Sequence, residues 1–263
     1  MALVYQLDAS VAGSLWADDA KTTAATDGGV VAVWSPNASG SVTTDAIQTT
    51  NTKRPLYRSN YSSSGYAAIE FDGSNDLLTV AHSTSFNSSV YDMFLVWTPV
   101  AIGSGDTMIF GKITNSGWND GVSMCHSGAL VYAGAPNYSD ISITSVLSNG
   151  LKTMAAVKLK AADRSYLAVR SDNIIFPTRS TLATAPATTS TAVLNIGGPG
   201  TAGGGNFTNS AIHELRIYTG EETLSTRLSV YAELAKKWGL TTLSTVPSSG
   251  GLIGGGNLNG GFL

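Results

Sequence analysis

The stretch Tyr66 to Ala81, YAAIEFDGSNDLLTVA, decides how the chain is read. Ile69 and Phe71 fall on one face of an extended segment, while Ala68, Glu70 and Asp72 fall on the other. Asp72-Gly73-Ser74-Asn75-Asp76 supplies residues that adopt turn conformations bulkier side chains resist, and Leu78 and Val80 resume the alternation on the return arm. Alternation on both arms predicts a β-hairpin, and with it an antiparallel sheet that buries one face.

The same pattern recurs on both sides of the hairpin. Leu3 to Ala9 reads as a first strand, and Val30 to Trp34 as a second that ends before Pro36. Residues 37 to 65 are mostly Ser, Thr, Asn and Gly around Lys53-Arg54-Pro55, and predict one long connection. Tyr91 to Val100 is apolar on both faces, which predicts a central strand covered on both sides. Strands are predicted at Thr107 to Ile113, Gly121 to Cys125, Leu130 to Ala133 and Thr153 to Lys160, the last with Ala155, Val157 and Leu159 inward. Tyr166 to Val169, Ile174 to Phe176, Val193 to Ile196 and Ile212 to Tyr218 follow. One helix is expected over about Glu221 to Trp238, where Leu224, Leu228, Tyr231, Leu234 and Trp238 form an apolar stripe and Gly239 supplies the stop. Short strands joined by Gly, Asn, Asp and Ser turns indicate a sandwich.

Two of these landmarks carry a resemblance. Phe71-Asp72-Gly73 with Asp76-Leu77-Leu78, and Ala211 to Tyr218 followed by a helix ending Lys236-Lys237-Trp238-Gly239-Leu240, resemble the early hairpin and the closing strand and helix of concanavalin A-like, laminin-G-type jelly-roll domains. Phe110-Gly111-Lys112, Gly117-Trp118 and the Gly121 to Tyr132 hairpin stand between them in the same order, so the resemblance spans residues 3 to 240. It implies an all-β, antiparallel two-sheet sandwich over residues 1 to 240 with one C-terminal helix, the last strand lying beside the first. Such domains occur in bacteriophage structural proteins and in carbohydrate-binding modules.

Composition narrows the partners. Over 263 residues the net charge is -3 and only 13% of residues are charged, which gives no basic field for nucleic acid or an anionic membrane. No stretch has the apolar length that spans a bilayer. The single cysteine, Cys125, forms no internal disulfide, and MALVYQLDA lacks the features of an export leader. Both suit assembly in a bacterial cytoplasm. Asn37, Asn60, Asn87, Asn137 and Asn206 each begin an Asn-x-Ser/Thr triplet, read here as surface loops.

Catalytic patterns are missing from consecutive positions. Glu70-Phe71-Asp72 approaches the paired acids of a glycosidase strand but lacks the third acid, and Asp72 is explained by its turn. His82, His126 and His213 lie in unrelated contexts, and His213 is placed on the strand face of Leu215 and Ile217 as a satisfied core histidine. The expectation is that the chain is not an enzyme. No cofactor is expected, with calcium as the one candidate at Asp72, Asn75, Asp76 and Asp120, residues that also serve as turn formers. For sugars, an aromatic ring beside amides and carboxylates on a loop is the relevant signature. Trp118-Asn119-Asp120 and Asn137-Tyr138 meet it.

Thr241 to Leu263 has no charged residue, and Leu252, Ile253, Leu258, Phe262 and Leu263 alternate there with glycines. Such a segment reads either as a linker or, because hydrophobic residues run through it, as an anchor that docks on a neighbour, whether another virion protein or a second copy of the chain. The first functional expectation is therefore a bacteriophage virion structural protein, an accessory or decoration protein of the capsid or the portal-tail junction. The second is a glycan-binding, receptor-binding module of a tail fibre directed at host surface glycans. A polysaccharide-degrading enzyme is the third.

Overall fold

The computed structural model describes residues 2–240 apart from 64, 104, 114–121, 135–140, 145, 172–174, 181–185, 187, 201–205 and 222. The amino-terminal half holds β1 (Ala2–Asp8), β2 (Leu15–Trp16), β3 (Val33–Trp34), β4 (Ala46–Ile47), β5 (Leu56–Arg58), β6 (Ala68–Asp72), β7 (Leu78–Val80) and β8 (Val90–Pro99). Next come β9 (Asp106–Lys112), β10 (Val122–Ser127), β11 (Leu130–Gly134), β12 (Ile141–Ile143) and β13 (Thr153–Lys160). The chain closes with β14 (Arg164–Arg170), β15 (Ile175–Ser180), β16 (Leu194–Ile196), β17 (Asn209–Thr219) and α1 (Leu224–Lys237).

The strands form two antiparallel sheets. One runs β15-β14-β13-β8-β17-β6-β5, and the other β12-β11-β10-β9-β16-β7-β4-β3-β2. The hairpin read first, β6 and β7, therefore sends one arm to each sheet. Ile69, Phe71, Leu78 and Val80 are all buried in the core between the sheets, with Met93, Leu95, Trp97, Phe110, Val157 and Leu215. Burial of this apolar surface is the main stabilising term. On its other face β8 presents Phe94 and Val96 to a second cluster built with Tyr231, Leu234 and Trp238 of the helix end. As its apolar sequence requires, β8 is covered on both sides.

First and last strands pair as the resemblance implies, with Leu3 opposite Tyr218 and Leu7 opposite Leu215. Along one side β17 follows β8, while on its other side residues 209–212 pair with β6 and residues 214–219 with β1. The register shifts between Ile212 and Glu214, so one residue is extra at the junction.

That bulge corrects the reading of His213. It does not share the face of Leu215 and Ile217; it points with Glu214 toward the helix, its ring 5.2 Å from that of Trp238. Burial holds its proton affinity down to about 4. The neutral ring donates from Nδ1 to the Ala67 carbonyl at 2.7 Å and accepts at Nε2 from the Thr98 hydroxyl at 3.0 Å, a tautomer assigned from the bonding pattern. It is thus satisfied, as expected, on a different face.

Glu214 is 1% exposed and accepts hydrogen bonds from Gln6 Nε2, Lys237 Nζ and Trp238 Nε1, each at 2.7 Å, and from Arg216 Nε at 2.6 Å. Lys237 also pairs with Asp8, and Arg216 with Glu233 at 2.7 Å. The helix is shorter than expected because Thr223 caps it, accepting from the Thr226 N–H at 3.2 Å. Two further expectations change. The second strand shrinks to β3, and the segment over 37–65 is not one loop, since Ala46–Ile47 and Leu56–Arg58 each pair into a sheet.

Removing the Glu214 carboxylate leaves Lys237 only Asp8 and Arg216 only Glu233, and takes the acceptor from the buried Trp238 N–H and the Gln6 amide. Glu214→Ala is expected to lower stability by about 3–5 kcal/mol, the range for breaking a buried ion pair from one side. Urea unfolding checks this, and a loss below about 1 kcal/mol would contradict the network's role.

Candidate functional site

The turn after β6 is built by its own acids. Asp72 Oδ1 accepts from the backbone N–H groups of Ser74 at 2.8 Å, Asn75 at 3.2 Å and Asp76 at 3.4 Å. Asp76 Oδ2 accepts in return from the Asp72 N–H at 3.0 Å. Gly73 has φ of 76° and lies so close to β17 that a Cβ there would stand 2.8 Å from the Asn209 Cβ.

Two other segments meet this turn. The Asn209 carbonyl accepts from the Val100 N–H at 2.9 Å, and the Asn206 carbonyl from the Met108 N–H at 3.0 Å. These bonds hold the approach to β9 and the approach to β17 side by side. Between them and the turn lies a cleft of about 310 Å³, lined by Asp72, Asp106, Asn206, Phe207, Asn209 and Thr107, with Gly73, Gly103, Gly105 and Ala101 leaving its walls low. Gly198 backs the Phe207 ring closely, since a Cβ at Gly198 would stand 2.4 Å from it. A fixed, partly exposed ring flanked by two amides and two carboxylates can take an apolar ring face and bond the polar groups at its rim.

Asp76 lies beneath this turn, 6% exposed. Burial first, then the charge of Asp72, pushes its carboxyl up to about 7. Of the calcium candidates, Asp72, Asn75 and Asp76 are together in the turn, and no group of three His, Cys, Asp or Glu converges among the described residues. Asp120 lies outside the described residues.

Trp118, Asn119, Asn137 and Tyr138 also lie outside them, as do Leu252, Ile253, Leu258, Phe262 and Leu263. The strand ends that bound the first four are described. Lys112 faces Val122, Ser123 faces Gly134 and Ala133 faces Ile141 at one end of the second sheet. The cleft is at the other end, where Asp106 faces Ser127.

Sequence reasoning missed Asp106, Asn206, Phe207 and Asn209. Asn206-Phe207-Thr208-Asn209 carries the same aromatic-and-amide signature that marked Trp118, and could have been found by it. Asp106 carried no local signal, because only the fold brings it to Asp72.

No protein-family model matches the sequence, and no curated protein matches it. Solved structures do share the fold. Trypanosoma rangeli sialidase in complex with sialic acid superposes with a TM-score of 0.57 at 13% identity, over 89% of this chain and 33% of that one. The same enzyme bound to a difluorinated KDN gives 0.57 at 11% identity, over 90% and 33%. The binding domain of Paraclostridial Mosquitocidal Protein 1 gives 0.51 at 7% identity, over 72% and 49%. The chain therefore spans about a third of the sialidase chains it matches, and the likeness is one of fold: an antiparallel two-sheet jelly-roll sandwich with a C-terminal helix.

These neighbours overturn the expectation that the chain is not an enzyme, because sialidases are among the proteins that contain the fold. The physical reason is that the expectation rested on acids at neighbouring strand positions, whereas folding gathers Asp72 and Asp106 from separate segments into one cleft.

Asp76 also sets a pH dependence. A carboxyl held above its ordinary value of 3.8 keeps its proton in the folded state, so its stabilising contribution is full below about pH 4 and is lost as pH rises through 7. Asp76→Asn is expected to match the wild type at pH 4 and to exceed it by about 1–2 kcal/mol at pH 8.5, a figure reduced for partial solvent screening. Urea midpoints at the two pH values check this, and an equal difference at both would contradict it.

Proposed function

We propose that this chain is a glycan-binding sandwich domain that seats a sugar ring against Phe207. One observation carries the reading: Phe207 lines a cleft whose rim is Asp72, Asp106, Asn206 and Asn209. Carboxylates and amides are planar groups that bond pairs of sugar hydroxyls, while the ring covers the C–H face of the pyranose. The fold shared with a sialidase solved with a bound sugar supports the sugar-binding class, while the lining of the cleft is this chain's own. Trp118, Asn119, Asp120, Asn137 and Tyr138 would form a second contact region.

A bacteriophage particle is the setting we propose for this domain. The resemblance to phage modules and the uncharged segment over 241–263 favour it, with Leu252, Ile253, Leu258, Phe262 and Leu263 docking on another virion protein or on a second copy. The domain would then be the part that meets host surface glycans.

Two results test these readings. On a glycan array followed by calorimetry, the full chain should bind at least one oligosaccharide, and Phe207→Ala should weaken it by about 1–3 kcal/mol, the scale for burying such a side chain. Unchanged affinity in Phe207→Ala with loss in Trp118→Ala would move the site to Trp118. Light scattering of the full chain beside a truncation at Leu240 reads the anchor: loss of assembly only in the truncated chain supports it, and identical behaviour opposes it.

A further inference from the structure

We infer that the cleft selects glycans that carry no negative charge, a specificity that rests on the glycan-binding reading above. The ionisable side chains lining it are the carboxylates Asp72 and Asp106, and none of its described lining residues is Lys, Arg or His. A uronate, sialate or sulfate presented to the Phe207 ring would meet two like charges and no counter-charge on the cleft wall.

The surroundings sharpen this. Asp72 Oδ1 is occupied by three backbone N–H groups of the turn, which fixes the carboxylate in place at the rim. Asp76, directly behind it, accepts from the Asp72 N–H through its Oδ2, which locks the same corner. Four of the described cations are held away from the cleft. Arg58 pairs with Glu70 at 2.6 Å, and Arg216 and Lys237 are held by Glu214 under the helix. Lys112 is buried at the opposite end of the sheet, donating to Asn87 Oδ1 and the Ser190 carbonyl.

A neutral sugar gains from the same groups. Asp106, and Asp72 through its Oδ2, can accept hydroxyl donors, and bonds to a charged acceptor are stronger than those to a neutral one. At a separation of about 6 Å, in a dielectric between water and a protein surface, one added like charge lowers affinity roughly tenfold.

The test uses the full chain on an array of matched neutral, sialylated, uronate and sulfated oligosaccharides. The strongest neutral hit is then titrated beside its anionic counterpart at low and high salt, with calcium and with a chelator. The expected result is a preference of roughly tenfold for the neutral member at low salt, which shrinks as salt screens the cleft. Asp106→Asn, at an exposed position that does not threaten the core, should narrow that ratio to about threefold or less. Anionic members that bind as well as neutral ones, with or without calcium, would overturn the inference while leaving glycan binding intact. So would a ratio that Asp106→Asn leaves unchanged. Silence from the whole array would instead overturn glycan binding, and this specificity with it.

Discussion

A carboxylate buried at a strand irregularity organises this molecule. The extra residue in β17 turns both His213 and Glu214 toward the helix, and Glu214, at 1% exposure, cannot remain there without partners. Its partners come from three places in the chain: Gln6 on β1, Arg216 on its own strand, and Lys237 and Trp238 at the helix end. One side chain therefore fixes where the first strand lies, where the helix ends and which way β17 crosses. The stretch before the bulge is left to pair with β6, and that pairing brings Asn209 against Gly73 to form one wall of the cleft.

The sandwich was legible wherever side-chain period and strand geometry agree. Ile69, Phe71, Leu78 and Val80 alternate, and all four are in the core; β8 is apolar on both faces because one face packs on the opposite sheet and the other under the helix. Strict alternation failed at His213, since a bulge adds a residue without any change in composition. It also failed over 37–65, where β4 and β5 are two and three residues long, too short for a period to show against Ser, Thr and Asn.

Site residues divide in the same way. Asp72, Gly73 and Asp76 were visible as turn chemistry, and the structure shows that the turn uses them. Asn206-Phe207-Thr208-Asn209 was readable as a ring between amides, although Asn206 was read only as the start of a surface-loop triplet. Asp106 is an unremarkable acid in the sequence, and its meaning comes only from the tertiary fold that sets it opposite Asp72. The argument against catalysis looked to consecutive positions, and acids brought together from separate loops leave no spacing to detect.

The cleft is a product of the same constraint that closes the sandwich, which ties recognition to the pairing of the last strand. A crystal structure of the full chain grown with the oligosaccharide it binds tests this most directly. The account predicts a sugar ring stacked on Phe207, with hydroxyls bonded to Asp106 and Asn206. Density for the sugar against Trp118, with the Phe207 cleft occupied by solvent alone, would contradict it.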